Sequence, residues 1–345
     1  MSDARIAWVD YAKGLCIILV VMMHAVHGYE ELVGQTGWMN AVVAFAKPFR
    51  MPDFFLIAGL FLGRSIYGST VDYFDRKFVH FAYFYLLWLV IQSLFFDGDV
   101  LLSDPAAYAA LYGRALIDPI TTLWFVHMLA IYYAVTWVLR AVPKWIVFAG
   151  ALGLQTAFAL DFIHTDWTVF DRFCAYYVYF FVGYAAAPYI FKAASWAGER
   201  PLLTGVALFV WALSTALAVR LDIAGGPGIS FALGMAGAAA IMALGVFMSQ
   251  GRGFDLIRHA GKHSIVIYLT FFLPVKVAQI GLSKTGLIPD VGTASLMVLI
   301  AGIAGPLVFF EIVRRTPFNF LYQRPRAISI SDRYRGGAQA QVRGA

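Results

Sequence analysis

A chain of 345 residues that is 61% hydrophobic and 13% charged, with a mean hydropathy of +0.73, is excluded as a water-soluble domain, because such domains are about 25% charged. The net charge of +6 sits in short polar stretches and a basic tail, so it does not indicate nucleic acid. Cys16 and Cys174 both lie inside apolar runs, which excludes a disulfide framework and a CxxC metal or redox motif.

A bilayer-spanning helix needs about 20 mostly apolar residues. In chain order the candidate spans are 12–29, 38–62, 77–97, 120–139, 145–161, 173–191, 201–221, 227–249, 263–283 and 291–313. Residues 14–26 have the hydrophobicity of a signal-peptide core, but His27-Gly28-Tyr29-Glu30-Glu31 follows in place of a small-x-small cleavage site, so the segment reads as a retained anchor. Backbone groups in lipid must be satisfied internally. These runs are too long and too uniformly apolar for barrel strands, so the expected fold is an all-α integral membrane bundle of about ten transmembrane helices. Residues 1–322 form one membrane domain in this reading. The stretch from 323 to 345 is a basic, disordered cytoplasmic tail, and the acidic loop 98–119 carries a short amphipathic piece.

Loop cations orient the bundle. Arg114, Arg172, Arg220 and Lys284 fall on one side; Lys47, Arg50 and Lys276 lie within spans; the remaining 19 of the 26 Lys and Arg, including Arg5, Arg333, Arg335 and Arg343, fall on the other. This asymmetry predicts that both termini are cytoplasmic.

The first span carries Asp10, Lys13, His24 and His27. At about 100° per residue all four share a stripe about 100° wide, with His24 about 16 Å deeper than Lys13. Such a stripe faces protein or a water-filled cavity. His24 suits a general base or proton shuttle, or else a helix–helix hydrogen bond. Lys13 suits an anion site at the cytoplasmic mouth, or a snorkelling anchor. Asp10 stands one turn from Lys13 as its pairing partner. In the second span, Lys47-Pro48-Phe49-Arg50-Met51-Pro52-Asp53 predicts a kinked or broken helix, since each proline removes a backbone donor. Arg50 and Asp53 are spaced to pair or to contact substrate.

These residues resemble the membrane-bound acyltransferase-3 family. Its first helix carries a basic residue, ten residues and a histidine, reproduced by Lys13 and His24, and the Asp-x-x-Lys-Gly start at Asp10 is similar to the branch related to fucose 4-O-acetylase. Met51 to Gly59 resembles the family's Met-Pro-x-Phe-Phe-x-x-Ser/Ala-Gly block, Leu123-Trp124-Phe125 its Leu-Trp-Phe element, and Gly261 to Leu269, through Ser264, Ile267 and Tyr268, its late Gly-x-x-Ser-x-x-Ile-Tyr-Leu element. The chain departs from the pattern at Arg50 (often His), at Asp53 (often apolar), at Phe271 (often His), and in Arg76-Lys77-Phe78-Val79-His80, which keeps only part of an Arg-x-x-Arg element.

The resemblance implies transfer of an acyl group, usually acetyl, from cytoplasmic acyl-CoA to a hydroxyl of a surface or exported glycan or glycolipid, by an enzyme of the cytoplasmic (inner) membrane. It implies no metal and no bound cofactor; acetyl-CoA or another acyl-CoA is the donor substrate. Asp10, Lys13 and His24 would then be catalytic, and Arg50, Asp53, Arg76, Lys77, His80 and Trp124 substrate-binding. Arg64, Arg76, Lys77 and Lys13 would gather around the donor's phosphates. Trp124, Tyr176, Tyr177 and Tyr179 would offer an aromatic platform to a sugar, where the plainer reading is core packing. His24 would deprotonate the acceptor, or form an acyl-histidine. A secondary transporter or glycan-lipid flippase shares broken helices and buried charges and stands as the alternative.

Overall fold

A computed structural model describes residues 6–119 and 122–331. The terminal cations Arg5, Arg333, Arg335 and Arg343, and the tail beyond 331, lie outside the described residues. Among the described residues there are helices and no strands.

The first span is α1 (Ala7–Val33). The second divides into α2 (Met39–Ala46) and α3 (Arg50–Gly59). The division falls at Lys47-Pro48-Phe49, and Pro52 is accommodated in the first turn of the new helix, where its missing amide costs little. A 34-residue apolar run, Thr70–Ser103, comprises α4 (Thr70–Phe74), a π turn over Asp75–Val79, and α5 (His80–Ser103). The expected amphipathic piece is α6 (Pro105–Ala115), whose start is capped by the Asp104 carboxylate accepting from the Ala107 amide at 3.0 Å. Then come α7 (Trp124–Val138), α8 (Lys144–Ala159) and α9 (Thr168–Ala185). The chain bends by 76° at Ala186 into α10 (Ala187–Glu199), because Pro188 has no amide with which to continue α9. The predicted span 173–191 therefore runs across a corner. Next are α11 (Pro201–Arg220), α12 (Ile229–Gln250) and α13 (Asp255–Lys262). The predicted span 263–283 is α14 (Ser264–Thr270) and α15 (Phe272–Thr285), bent by 54°. The last span is α16 (Val291–Val313).

Among the described residues six helices are long and apolar enough to cross a membrane unaided, and eight crossings result if each bent pair counts as one. The two other predicted spans are the broken α2–α3 pair and the 16-residue α8. The helical membrane fold thus stands, while the count of about ten exceeds what length and composition support. α11 shows why lipid must surround the bundle. Leu202, Val206, Phe209 and Leu213 are each at least 60% exposed on it, and an outer face this apolar has no place in water.

α1 is the opposite case: two thirds of its apolar window is buried, against 17% for α11. It packs on α12, α13 and α16 and also meets α3, α14 and α15. Its contact with α13 is backbone on backbone. A side chain at Gly14 would strike the Ile257 carbonyl, and one at Gly261 the Asp10 carbonyl. α3 and α9 approach in the same way, Gly59 against the Phe180 carbonyl and Gly183 against that of Leu56. Beyond α16 the chain returns over α5: Trp88 Nε1 donates to the Leu321 carbonyl at 2.9 Å. The buried Asp75 carboxylate is ion-paired to Arg324 at 2.6 Å and accepts from the Ile330 amide and the Ser331 hydroxyl. The stretch expected to be disordered from Gln323 onward is therefore held in place as far as Ser331.

Gly261→Val is expected to destabilise the fold by about 3 kcal/mol, the upper range for overpacking. Gly113→Ala, where a Cβ meets nothing within 4 Å, is expected to leave stability unchanged or slightly raised. Thermal unfolding of both variants in detergent checks the pair; equal midpoints would show that the α1–α13 contact is not tight.

Candidate active site

The stripe on α1 meets different neighbours along its length. Asp10 is buried at 2% exposure against the last turn of α13, at Gly261. Lys13 is half-buried and lies within electrostatic reach of Lys77 in the π turn, whose ammonium sits 4.8 Å over the Tyr133 ring. Deeper in, the half-buried His24 ring packs on Phe271 at 5.1 Å. The backbone at His24 is pinned from α15: Gln279 Nε2 donates to the His24 carbonyl at 3.0 Å and to that of Ala25 at 3.3 Å. Gly28 leaves the room that this amide occupies. His27 points to the exposed side.

The start of α3 faces this part of α1. Arg50 is 8% exposed; its Nη2 donates to Met23 Sδ at 2.9 Å, while Nε and Nη1 have no hydrogen-bond partner. Asp53 is fully buried, and neither carboxylate oxygen has a partner. The expected Arg50–Asp53 pair does not form. Side chains on a helix lean toward its N-terminus, so an arginine placed before its aspartate leans away from it, and here it reaches α1 instead. Arg50 lies close enough to His24 to act on it electrostatically, and Asp53 to act on Cys16. Buried ionisable groups with open hydrogen-bonding atoms, here Arg50 Nε and Nη1 and both Asp53 oxygens, are costly.

The aromatic residues divide. Trp124 and Tyr176 are half-buried neighbours with ring centroids 5.9 Å apart, and Tyr176 stacks on Phe55 at 5.6 Å. Arg172 sits 4.8 Å over the Trp124 ring. Tyr177 and Tyr179 are buried: the first shares a 3.0 Å hydrogen bond with Thr136, and the second donates to the Ser230 carbonyl at 3.2 Å. They belong to the core, and the candidate platform reduces to Trp124 and Tyr176. Tyr268 ties this platform to the histidine. Its hydroxyl donates to the Thr122 carbonyl and accepts from the Phe125 amide at 3.2 Å, and its ring lies 6.4 Å from Phe271. The Leu123-Trp124-Phe125 block and the late Gly261–Leu269 block are thus one structural unit that reaches His24 through Phe271.

The basic residues also separate. Lys13 and Lys77 are neighbours, but Arg76 projects outward from the π turn. The His80 ring packs between Phe81 and Phe84 at 5.4 and 5.0 Å. Arg64 lies apart from Lys13 and lines a different cavity with Lys144. The sequence reading missed Arg172 and Gln279. Both carry a legible signal: Gln279 is a lone amide in an otherwise apolar span, and Arg172 a cation at the edge of one.

Comparison with known proteins accords with this arrangement. Inner membrane protein YcfT of Escherichia coli (strain K12) is 27% identical over 307 residues, covering 80% of this chain and 81% of YcfT. No solved structure matches. The family model of acyltransferase-3, described as an acyltransferase domain, matches residues 6–311. That match takes in the whole charged stripe of α1 and the apolar spans, the last of them as far as residue 311, and the chain belongs to the acyltransferase-3 family of membrane acyltransferases.

Proposed function

We propose that this enzyme, in the inner membrane with both termini in the cytoplasm, transfers an acetyl group from cytoplasmic acetyl-CoA to a hydroxyl of a cell-surface or exported glycan. The observation that carries the reading is the half-buried His24 imidazole beside Arg50 and Asp53, whose Nε, Nη1 and carboxyl oxygens have no protein partner, about three turns along α1 from Lys13 and its neighbour Lys77. Acyl-CoA is anionic, and two adjacent ammonium groups attract its phosphates. About 16 Å of helix separates Lys13 from His24, a distance that an extended pantetheine arm bridges. Trp124 and Tyr176 offer half-buried ring faces to the apolar side of a sugar. Asp53 has two free acceptors for sugar hydroxyls.

In the chemical step His24 takes the proton of the acceptor hydroxyl. The oxygen attacks the thioester carbonyl and an oxyanion forms, which the Arg50 guanidinium stabilises. The carbon–sulfur bond then breaks, the ester remains on the sugar, and the imidazolium returns its proton to the departing thiolate. The name of the YcfT relative supports the choice of membrane.

Inside-out vesicles supplied with radiolabelled acetyl-CoA and an acceptor-rich extract are expected to place base-labile label in the glycan fraction. His24→Ala at equal protein level is expected to lower that rate at least 100-fold, the lower range for a general base. Equal labelling by both proteins would remove His24 from catalysis, and no labelling by either would favour transport. For the donor site, Lys13→Ala is expected to raise the KM for acetyl-CoA about tenfold with kcat little changed, while Lys13→Arg keeps most of the affinity. An unchanged KM in the alanine variant would refute the anion role.

Asp53→Asn separates function from stability. Removing an unpartnered buried charge is expected to hold or raise the melting temperature while kcat/KM falls at least tenfold. A fall in melting temperature with activity intact would make Asp53 a structural residue.

A further inference from the structure

Two cavities meet at the end of the bundle where α1 begins, away from His24. One holds about 810 Å³ and is walled by Arg64, Lys144, Tyr67, Tyr184, Ser249 and Gln250; among the described residues no acidic side chain lines it. The other, about 250 Å³, is apolar, running between Leu56, Ile57, Met235, Ala239 and Met242. They share Trp8 and Leu60 as a common wall. The cationic chamber is open, since Arg64 and Lys144 are both exposed. Lys144 also sits 4.8 Å over the Tyr184 ring, which holds its charge at the chamber edge.

The surroundings place the chamber at headgroup depth. α10 forms its rim and lies at 76° to α9, across the end of the bundle. Its Tyr189 is 76% exposed, its Trp196 is 40% exposed, and Arg200 sits 5.1 Å over the Trp196 ring. Exposed Tyr and Trp with adjacent cations mark the membrane–water boundary. From Gln250 in the chamber to Met235 in the slot, α12 rises about 22 Å, enough to pass through one leaflet of a hydrocarbon core about 30 Å thick.

We propose that the joined cavities are a binding site for an anionic membrane phospholipid, with its phosphate-bearing headgroup between Arg64 and Lys144 and an acyl chain in the slot along α12. Charge complementarity selects the anion, and the apolar slot beneath it selects a lipid over a soluble phosphate. The inference is independent of the acyl-transfer reading, because neither cavity includes His24, Arg50 or Asp53.

Native mass spectrometry of the purified protein, re-lipidated with equal phosphatidylglycerol and phosphatidylcholine, tests it. The wild type is expected to retain phosphatidylglycerol preferentially. Each cation near an anionic lipid contributes about fivefold, so Arg64→Gln with Lys144→Gln is expected to lower the preference about thirtyfold. Ala239→Phe, which fills the exposed slot without entering the core, is expected to reduce retention of phosphatidylglycerol. Equal retention of the two lipids by the wild type, or an unchanged preference in the double variant, would overturn the proposal. So would unchanged retention in Ala239→Phe. Displacement of the lipid by coenzyme A would assign the chamber to the donor, and displacement by inorganic phosphate would assign it to a soluble anion; either result would also overturn it.

Discussion

The structure depends on the direct backbone contact between α1 and α13. Gly14 and Gly261 bring two carbonyls to positions that any side chain would occupy, and close approach of this kind is how membrane helices gain packing energy where no hydrophobic force drives them together. It holds the start of α1 fixed beneath α13 and buries Asp10. With the helix rotation set there, Lys13 turns toward the π turn and His24 toward α3 and Phe271. Gln279 repeats the constraint three turns deeper by holding the α1 backbone beside the histidine. The stripe is presented by a helix that cannot rotate.

Against that rigid post, α3 carries the least stable feature of the molecule. Arg50 and Asp53 bury two ionisable groups within one turn without joining them. A pair would offset part of the desolvation, but the Arg50 guanidinium reaches Met23 on α1 instead. A fold selected only for stability would replace both. Their open hydrogen-bonding atoms beside His24 are what the proposed substrate contacts rest on. The same logic separates the tyrosines: Tyr177 and Tyr179 satisfy their hydroxyls within the protein, whereas Trp124 and Tyr176 keep faces exposed.

Positive charge serves more than one purpose in this chain. Lys13 and Lys77 lie near one another, Arg324 closes on Asp75 to fasten the returning C-terminal segment, and Arg64 with Lys144 borders a chamber that continues into an apolar slot.

Much of this was legible in the sequence. Each of the ten apolar runs corresponds to a helix or a helix pair, because burial of backbone in lipid leaves no other regular structure to an apolar run. The α1 stripe was legible too, since positions along one helix are related by a fixed rotation, as was the break at Pro48. The prolines at 188 and 274 were visible, yet whether a proline ends a span or is absorbed depends on the neighbouring helices that supply replacement contacts. Spacing i, i+3 made an Arg50–Asp53 pair possible, but the direction of the arginine was decided by Met23 on another helix. The meeting of Tyr268 with the Trp124 block, the separation of Arg64 from Lys77, and the docking of Arg324 to Ser331 on Asp75 are contacts between distant segments. The sequence by itself determined the solvent, the helices and the charged face of α1, because these follow from local composition and period. Tertiary structure alone decided which charges pair and which stay free, because that depends on the rotation and approach of helices that no local pattern encodes.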